Sequence, residues 1–529
     1  MRLHFYAIST LENSQLFISA SAHSPFSSSE VWTQITPPRS HMAQSGAGGG
    51  IAAKRGKLSS SDADAGVDGE DRLSALPDEV LVLILLRLRT TTEAARTSVL
   101  ARRWRRVWLL LPELRFHLAP DGHRIRKVLL APDAPPPLHR ISVVTEDSAP
   151  DSLGAWLPDA ARRLSGALVY HRIVPGVEDL ASPMPDEAGE GGTIQLPCFE
   201  KATRIEINLG LLGLDLPLAG TFAQLTELAL YRVHLRGPIE LGDFVSSPRS
   251  PRLQKLRIRD ARGVDKLTIH SESLLEVDLR RLKGFQRLSI SASALNELNL
   301  LKCFGKNQPV AFICAPQLES LAWTDSYDPS SVDLGNLGQL QVLRTNGFFV
   351  FSKPDCRYNR DFLRLLQQFR FIRSLGILLF YQRDIGNFPY LMEDITMLPL
   401  TEFLTVEVVN NGHNFGPSSF HILRLCTGIR RLSMKLHIIR GLKSACHPGC
   451  ICDQPANWKA QELSLNRLRK VELAGLEGTE HEVVFLEQLF SWATVLKKME
   501  ITFDYSVSKS KGRSRCSCLP RKTKKTRSE

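Results

Sequence analysis

Apolar side chains recur in a fixed short pattern from residue 225 onward. The pattern is L-x-x-L-x-L, with other apolar residues allowed at the leucine positions. Each copy ends in an alternating apolar pair, which is typical of a short strand with one buried face. Because stacked copies bury one another's apolar faces, the pattern predicts a solenoid of short parallel strands. The copies are Leu225/Leu228/Leu230, Leu253/Leu256/Ile258, Val264/Leu267/Ile269, Leu274/Val277/Leu279, Phe285/Leu288/Ile290, Leu295/Leu298/Leu300, Leu318/Leu321/Trp323, Ile372/Leu375/Ile377, Phe403/Val406/Val408, Ile429/Leu432/Met434, Leu468/Val471/Leu473 and Leu496/Met499/Ile501.

The spacing of the copies indicates how each coil is built. Between Leu253 and Leu295 the copies begin alternately 11 and 10 residues apart. Two such steps match the usual length of one repeat, so each coil is predicted to carry strands on two walls. After Leu340 the spacing lengthens, which leaves room for helices such as Asp361 to Phe369 and Glu482 to Thr494. The fold class predicted is therefore α/β, with helices mainly toward the C-terminal half.

A different pattern, with helical spacing, occupies residues 71–116. Pro77, Asp78 and Glu79 favour a helix start, and an unbroken apolar run follows from Val80 to Leu86. Thr90, Thr91 or Thr92 can cap a second helix. A third segment places four apolar side chains on one face, namely Trp104, Val107, Trp108 and Leu111. A unit of this size encloses little interior, so either a partner or the following domain must cover the first helix.

The remaining segments complete the predicted domain organisation. Residues 1–70 are rich in Ser, Ala and Gly without periodicity, and they are predicted to be disordered. Residues 117–200 form a linking region with one helix predicted from Leu153 to Leu164. Residues 201–505 form the repeat domain, and residues 506–529 form a basic disordered tail.

Charge is concentrated at the C-terminal end. The formal net charge is +12, but nine basic residues and one acidic residue follow Asp504, so this tail supplies eight of the twelve charges. The rest of the chain is close to neutral, and a face that binds nucleic acid is not indicated. The basic groups at 509–515 and 521–527 resemble a two-part nuclear import signal. The expected localisation is nuclear and/or cytoplasmic.

Candidate chemistry is sparse. Cys446, His447, Cys450 and Cys452 lie close enough in sequence to suggest zinc, but no second ligand pair is evident nearby, so no metal site is predicted. The ten cysteines lack paired spacings and are interpreted as reduced thiols. No Gly-x-Ser-x-Gly, phosphate-loop or HExxH motif occurs. We therefore expect no catalytic residues and no cofactor. No apolar run approaches the length of a membrane helix, so no membrane association is expected.

Two stretches resemble a known family. Leu76 to Leu81, Ile84-Leu85, Arg96 to Leu100, and Arg103 to Arg105 with Trp108 resemble the plant F-box in order and spacing. The segments from His270 to Leu279, Ala315 to Val332, Cys446 to Trp458 and Leu465 to Phe503 are similar to the F-box and leucine-rich-repeat proteins of grasses. The resemblance runs from about Asp71 to Phe503.

This resemblance implies a function. In that family, the F-box binds a small Skp-type adaptor that bridges to a cullin, and the repeats hold a protein substrate for ubiquitination. The chain would then be a non-catalytic subunit of an SCF-type ubiquitin ligase. Arg89 departs from the family, which often has proline after the first helix, and it could lengthen that helix slightly. The adaptor contacts carried over by position are Leu76, Pro77, Val80, Leu81, Ile84, Leu88, Val99, Leu100 and Trp104.

The substrate-binding residues are unknown from the sequence. Between the buried positions, outward-pointing residues of mixed charge form a candidate ladder, although such a run is usually only a solvated surface. The ladder consists of Lys255, Arg257, Arg259, Lys266, His270, Glu276, Asp278 and Arg280. The alternative function is a repeat-based scaffold without effective ligase assembly. A secreted or receptor-like repeat protein is disfavoured, because a clear signal sequence and paired capping cysteines are lacking.

Overall fold

The computed structural model describes most of the region from Leu73 to Phe503 and two short strands before it. The described residues are 2–8, 15–20, 73, 75–118, 121–131, 137–146, 149–174, 192–305, 308–354, 356–437 and 449–503. The basic tail and its predicted import signal lie outside these ranges.

The helices of the described residues are short, and three of them begin at a side-chain cap. Thr90, one of the three threonines that the sequence allows as the cap, caps the second helix by accepting a hydrogen bond from the Glu93 amide at 3.2 Å. Thr479 and Glu482 form a capping box, so the last helix begins at Glu480 and not at the predicted Glu482. The helices are α1 (Asp78–Leu85), α2 (Thr91–Arg96), α3 (Trp104–Val107), α4 (Gly122–Leu129), α5 (Pro150–Gly154), α6 (Leu157–Arg163), α7 (Leu241–Val245), α8 (Arg357–Leu366), α9 (Gly416–Leu425) and α10 (Glu480–Trp492).

The strands are mostly five to nine residues long and recur throughout the chain. They are β1 (Arg2–Ile8), β2 (Gln15–Ala20), β3 (Glu113–His117), β4 (Leu138–Thr145), β5 (Leu164–Arg172), β6 (Thr193–Gln195), β7 (Arg204–Asn208), β8 (Gly213–Asp215), β9 (Glu227–Tyr231), β10 (His234–Arg236), β11 (Lys255–Arg259), β12 (Lys266–His270), β13 (Glu276–Arg280), β14 (Arg287–Ser291), β15 (Glu297–Leu301), β16 (Val310–Cys314), β17 (Ser320–Trp323), β18 (Val332–Asp333), β19 (Val342–Phe349), β20 (Ser374–Phe380), β21 (Phe403–Val409), β22 (Arg431–Leu436), β23 (Lys470–Leu476) and β24 (Lys498–Phe503).

One long parallel sheet forms the main wall of the molecule. Its parallel strands run in the spatial order β3, β4, β5, β7, β9, β11, β13, β15, β17, β19, β20, β21, β22, β23 and β24. Neighbouring strands align their buried leucines, so that Leu256 stands beside Leu228 and Val277. This α/β arrangement of parallel strands is consistent with a leucine-rich-repeat solenoid.

A second wall is built from the alternate strands of the middle coils. β6, β8 and β10 form one small parallel sheet, and β12, β14, β16 and β18 form another. Strands therefore alternate between the walls from β11 to β18, which confirms the two-walled coil indicated by the 11- and 10-residue steps. From β19 to β24 no strand of the second wall intervenes among the described residues, and α8, α9 and α10 occupy three of the five connections. Helices also occur earlier in the solenoid, in α4 to α7.

One predicted repeat copy has the wrong register. In the copy Phe403/Val406/Val408, Leu404 and not Val406 aligns with the buried Leu375 and Leu432 of the neighbouring strands, so the predicted copy is shifted by two residues. Successive side chains of a strand point to opposite faces, so Phe403 and Val406 cannot share the buried face. Phe403 is half-buried and lies under the Arg373 guanidinium at 5.6 Å.

The main sheet begins earlier than the predicted repeat domain. β4 and β5 fall within residues 117–200, yet they pair in parallel between β3 and β7. The sheet therefore includes residues that the sequence assigns to a linking region. Leu138, Ile141 and Val143 of β4 fit the L-x-x-L-x-L spacing, whereas β5 departs from it at a register shift. The helix predicted from Leu153 to Leu164 is divided into α5 and α6, with Pro158 in the first turn of α6.

Two strands also fall within residues 1–70. β1 pairs antiparallel with both β2 and β24, which extends the main sheet beyond its last parallel strand. An edge strand carries unpaired backbone groups, and this pairing satisfies those of β24. The expectation of disorder does not hold for these two strands. The remainder of 1–70 lies outside the described residues.

The apolar interior is divided into two cores. A long core runs through the solenoid from Leu114 to Ile501. A separate small core holds together the helices between Leu76 and Leu111, which we call the helical unit. Because the two cores are distinct, the helical unit depends on its own packing.

Candidate functional site

The helical unit is organised around one buried face of α1. Leu81 and Leu85 are four residues apart and lie on the same side of the helix. They pack in the small core with four buried side chains, namely Ala94, Trp104, Val107 and Leu111. Leu76, Val82, Leu86, Leu88 and Trp108 are half-buried around this core. The helical unit therefore buries one face of the apolar helix α1 by itself.

Polar contacts fix the helices to one another and to the main sheet. The Arg103 guanidinium donates a hydrogen bond from Nε to Asp78 Oδ1 at 2.7 Å, joining the starts of α3 and α1. Thr91 Oγ1 accepts a hydrogen bond from the Arg115 amide of β3 at 2.7 Å. These contacts hold the helical unit at the first strand of the solenoid.

The opposite face of α1 is apolar and exposed. Val80, Leu83 and Ile84 occupy positions i, i+3 and i+4, so they lie side by side on the helix surface. Their exposed fractions are 37%, 62% and 40%. Val99 and Leu100, after α2, are 87% and 65% exposed. Among the described residues, neither the solenoid nor another segment covers these five side chains, and apolar groups exposed together are typical of a binding surface.

The structure separates the nine predicted adaptor residues into three groups. Five are exposed: Pro77, Val80, Ile84, Val99 and Leu100. Leu76 and Leu88 are half-buried against the small core. Leu81 is fully buried and Trp104 is 5% exposed, so both are interior packing residues of the helical unit here. A direct adaptor contact by these two would require the small core to open.

Sequence reasoning missed Leu83. It is the most exposed apolar residue of α1 and lies three residues after Val80. The helical spacing of positions 80, 83 and 84 places Leu83 on the same face as Val80 and Ile84. Because the run is apolar throughout, the sequence does not show which face of the helix is exposed. Arg89 does not lengthen the helix, since α1 ends at Leu85 and the Arg89 amide donates to Glu93 Oε2 at 2.9 Å.

The predicted charged ladder lies on two different walls. β11 and β13 place Lys255, Arg257 and Arg259 beside Glu276, Asp278 and Arg280 in register on the main sheet. Lys266 and His270 lie on β12, which belongs to the four-stranded sheet, so their inclusion in the same face was wrong. The reason is that alternate copies of the pattern belong to opposite walls.

Charges on the main-sheet face neutralise one another. Lys255 Nζ lies 3.0 Å from Glu276 Oε2, and Arg259 Nη2 lies 2.7 Å from Asp278 Oδ2. Asp278 is almost fully buried and also accepts from Arg280 Nε at 2.6 Å. Cross-strand pairs of opposite charge stabilise a sheet. The ladder therefore has a structural role here, and the structure does not single out a substrate site on it.

Glu206 on β7 is the most perturbed carboxylate of this face. Burial by itself would raise the pKa of Glu206, but hydrogen bonds from His171 (3.1 Å) and Arg204 (2.7 Å) outweigh it and lower the pKa from 4.5 to about 2. A depressed folded-state pKa adds stability that is complete above the unfolded value and is lost as the pH falls through the folded value.

Replacing Glu206 by glutamine should lower the melting temperature at pH 7, and this difference should shrink between pH 4.5 and 2. The expected loss at pH 7 is about 1–3 kcal/mol, since one unit of pKa corresponds to about 1.4 kcal/mol. Melting curves of both chains across this pH range measure the effect. Glu200→Gln, at an exposed position, is the control. A difference that stays constant with pH would exclude the ionised Glu206 as its source.

The candidate zinc ligands that lie close together in sequence are not the group that the structure brings together. Cys446 and His447 lie outside the described residues. Cys450 and Cys452 approach His413, which precedes Cys450 by 37 residues, and the three potential ligand atoms lie within 4.8 Å of one another. No sequence motif indicates this meeting, because β22 and its connections separate the partners along the chain.

Within the described ranges, none of the helices has the length and apolar character needed to span a membrane.

Comparisons with known proteins find several plant relatives. No protein-family model matches the chain. A putative F-box/FBD/LRR-repeat protein of Arabidopsis thaliana is 26% identical over 333 residues, which cover 60% of this chain and 62% of the relative. A putative F-box protein of the same plant is 53% identical over 49 residues, covering 9% of this chain and 10% of the relative. An F-box/FBD/LRR-repeat protein, also from Arabidopsis thaliana, is 53% identical over 47 residues, again 9% and 10%.

The chain thus spans less than two thirds of the length of these relatives. The relative found by the long alignment and the relatives found by the short alignments have similar names. The resemblance to plant F-box and leucine-rich-repeat proteins is therefore confirmed.

Proposed function

We propose that this relative of plant F-box and leucine-rich-repeat proteins is a non-catalytic, substrate-recruiting subunit of an SCF-type ubiquitin ligase. The helical unit acts as the F-box and binds a Skp-type adaptor, which connects it to a cullin. The solenoid holds a protein substrate. Ubiquitin transfer takes place on the partners, and this chain contributes proximity.

The observation that supports the proposal best is the exposed apolar surface of the helical unit. Val80, Leu83 and Ile84 on α1, with Val99 and Leu100 after α2, face solvent although the unit has a complete core of its own. Exposing large apolar side chains is unfavourable unless a partner buries them. A helical partner that interleaves with α1 accounts for this surface.

The attachment of the helical unit to β3 gives the proposal a geometric basis. The Thr91 to Arg115 hydrogen bond and the packing of α2 on β3 fix the unit at one end of the main sheet. A substrate on the solenoid would then be held in a defined position relative to the adaptor. Proximity of this kind raises the effective concentration of reacting groups.

Complex formation with a plant Skp-type adaptor tests the proposal. The full chain is co-expressed with a tagged adaptor, and the complex is analysed by size-exclusion chromatography with light scattering. A stable one-to-one complex is expected, as an interface of standard size buries about 1,600 Å². A well-folded chain that does not co-purify with the adaptor would overturn the proposal and favour the repeat-based scaffold.

For localisation we propose the nucleus and/or the cytoplasm, on the basis of the basic residues between Lys509 and Arg527. Clusters of lysine and arginine of this kind are typical of nuclear import signals.

A further inference from the structure

The geometry around His413 points to a zinc site that the sequence did not predict. We propose that His413, Cys450 and Cys452 bind one Zn²⁺ ion that joins the loop after β21 to the turn at Ile451–Asp453, which lies between β22 and β23. The two thiols would bind as thiolates, each releasing its proton to solvent, and the imidazole would bind as the neutral base. This proposal is independent of adaptor binding.

The distances fit a tetrahedral ion with these three side chains as ligands and a water molecule as the fourth. Zn–S and Zn–N bonds of roughly 2.3 and 2.1 Å place sulfur and nitrogen ligands roughly 3.6 Å apart, and two sulfurs roughly 3.8 Å apart. His413 Nδ1 and Cys450 Sγ are 3.5 Å apart. Even the widest pair of the three ligand atoms lies within 4.8 Å. Small side-chain rotations therefore suffice to close the site.

The orientation of the imidazole is fixed by a second hydrogen bond. His413 Nε2 lies 3.1 Å from the backbone carbonyl oxygen of Arg383. Since a carbonyl oxygen only accepts, Nε2 carries the proton and Nδ1 presents its lone pair to the thiols. A backbone carbonyl on the other ring nitrogen is the usual outer partner of a metal-binding histidine. The ring also stacks on Tyr381, with centroids 6.0 Å apart.

The two backbone segments that carry the ligands are held rigidly together. The His413 amide donates to the Asn410 carbonyl at 2.9 Å, and Asn410 Nδ2 donates to the His413 carbonyl at 3.1 Å. The buried Asn414 donates from Nδ2 to Asp453 Oδ1 at 2.6 Å, joining the histidine loop to the cysteine turn. His413 and Cys452 are buried, and Cys450 is half-buried. The site is thus preorganised and partly shielded from water.

Nitrogen and thiolate ligands in this number favour zinc over the hard cations. Ca²⁺ and Mg²⁺ prefer oxygen ligands, whereas imidazole and thiolate together suit Zn²⁺. With His413 and Cys450 37 residues apart, the ion would tie together two segments that only the fold brings into contact. A structural role follows, since such a clip stabilises the folded state by the free energy of binding.

Metal analysis of the purified full chain tests the proposal. The chain is stripped with a chelator and titrated with Zn²⁺, and with Co²⁺ as a spectroscopic probe. We expect one tight zinc per chain, thiolate-to-cobalt charge-transfer bands in the near ultraviolet, and a melting temperature that falls on stripping and recovers with zinc. His413→Asn, Cys450→Ser and Cys452→Ser should each weaken binding by at least roughly 100-fold, the upper end of what losing an outer-shell partner costs.

Cys314→Ser is the matched control, because this exposed cysteine of β16 lies on the second wall. It should bind zinc as the parent does. A parent chain without tight zinc would overturn the proposal and leave an S–H···N hydrogen bond between Cys450 and His413. Tight binding retained by His413→Asn would also overturn it, because other side chains would then hold the metal. If a variant is unstable, the cobalt spectrum of the parent still decides whether thiolates are ligands.

Discussion

Replacing Leu100 by aspartate should weaken binding to a Skp-type adaptor by at least roughly 100-fold while leaving the helical unit folded. Leu100 is 65% exposed, so the new carboxylate remains hydrated in the unbound chain. In an apolar interface it would lose that hydration without a partner, at a cost of several kcal/mol. About 2.7 kcal/mol already corresponds to a 100-fold change in affinity. Calorimetry against the purified adaptor measures the effect, and circular dichroism monitors folding.

Leu218→Asp provides a matched control, because Leu218 is 73% exposed and lies in a solenoid loop. Its adaptor affinity should equal that of the parent. Ile84→Asp extends the test to the exposed face of α1, and a similar loss is expected. If the Leu100 and Ile84 variants bind as tightly as the parent, the adaptor surface lies elsewhere on the chain.

The buried residues of the helical unit are unsuitable for this test. Leu81 is fully buried, and Leu81→Asp would place an unpaired charge in the small core. Loss of binding by that variant would report unfolding of the unit and not the loss of a contact. The exposed positions separate these two causes.

Trp458→Ala should destabilise the C-terminal end of the solenoid by about 3–5 kcal/mol, the usual cost of removing a buried tryptophan. The Trp458 side chain is 1% exposed and packs between Phe420 of α9 and Trp492 of α10, with ring centroids 6.4 and 6.2 Å away. A Cβ atom added at Gly416 would lie 2.4 Å from the same ring, which shows how closely the site is packed. Urea denaturation and hydrogen exchange measure the loss.

The exchange pattern should be local. Each coil of a solenoid contacts its neighbours, so protection should fall around α9 and α10 and stay unchanged near β11 and β13. Lys459→Ala is the control, since the Lys459 ammonium lies over the Trp458 ring at 5.7 Å but is exposed. It should cost less than about 1 kcal/mol. A global loss of protection in Trp458→Ala would show that the solenoid unfolds as one unit.

The sequence predicted well those features that depend on local periodicity. The second and third residues of every predicted repeat copy lie in a strand, because alternation with a period of two is a property of the strand itself. A threonine cap for α2 depends on contacts within one turn and was also predictable, although the sequence allowed Thr90, Thr91 or Thr92. In both cases the interacting residues lie within a few positions of each other.

The sequence did not determine which side of α1 is covered. Val80 to Leu86 is apolar throughout, so the helix shows no amphipathic pattern from which a buried face could be assigned. Packing with Trp104 and Val107 decides that Leu81 and Leu85 are buried and that Leu83 is exposed. The predicted adaptor set therefore combined surface residues with core residues.

By itself, then, the sequence determined the repeating strands, the two-walled middle coils and the resemblance to F-box and leucine-rich-repeat proteins. Only the tertiary structure decided that Lys266 and His270 lie on a different wall from the rest of the charged ladder, that β5 joins the main sheet, and that His413 meets Cys450. These features depend on contacts between residues 20 or more positions apart, as in the 37-residue separation of His413 and Cys450. Periodicity reports which face of an element is apolar, but stacking of the coils sets which distant residues share a surface.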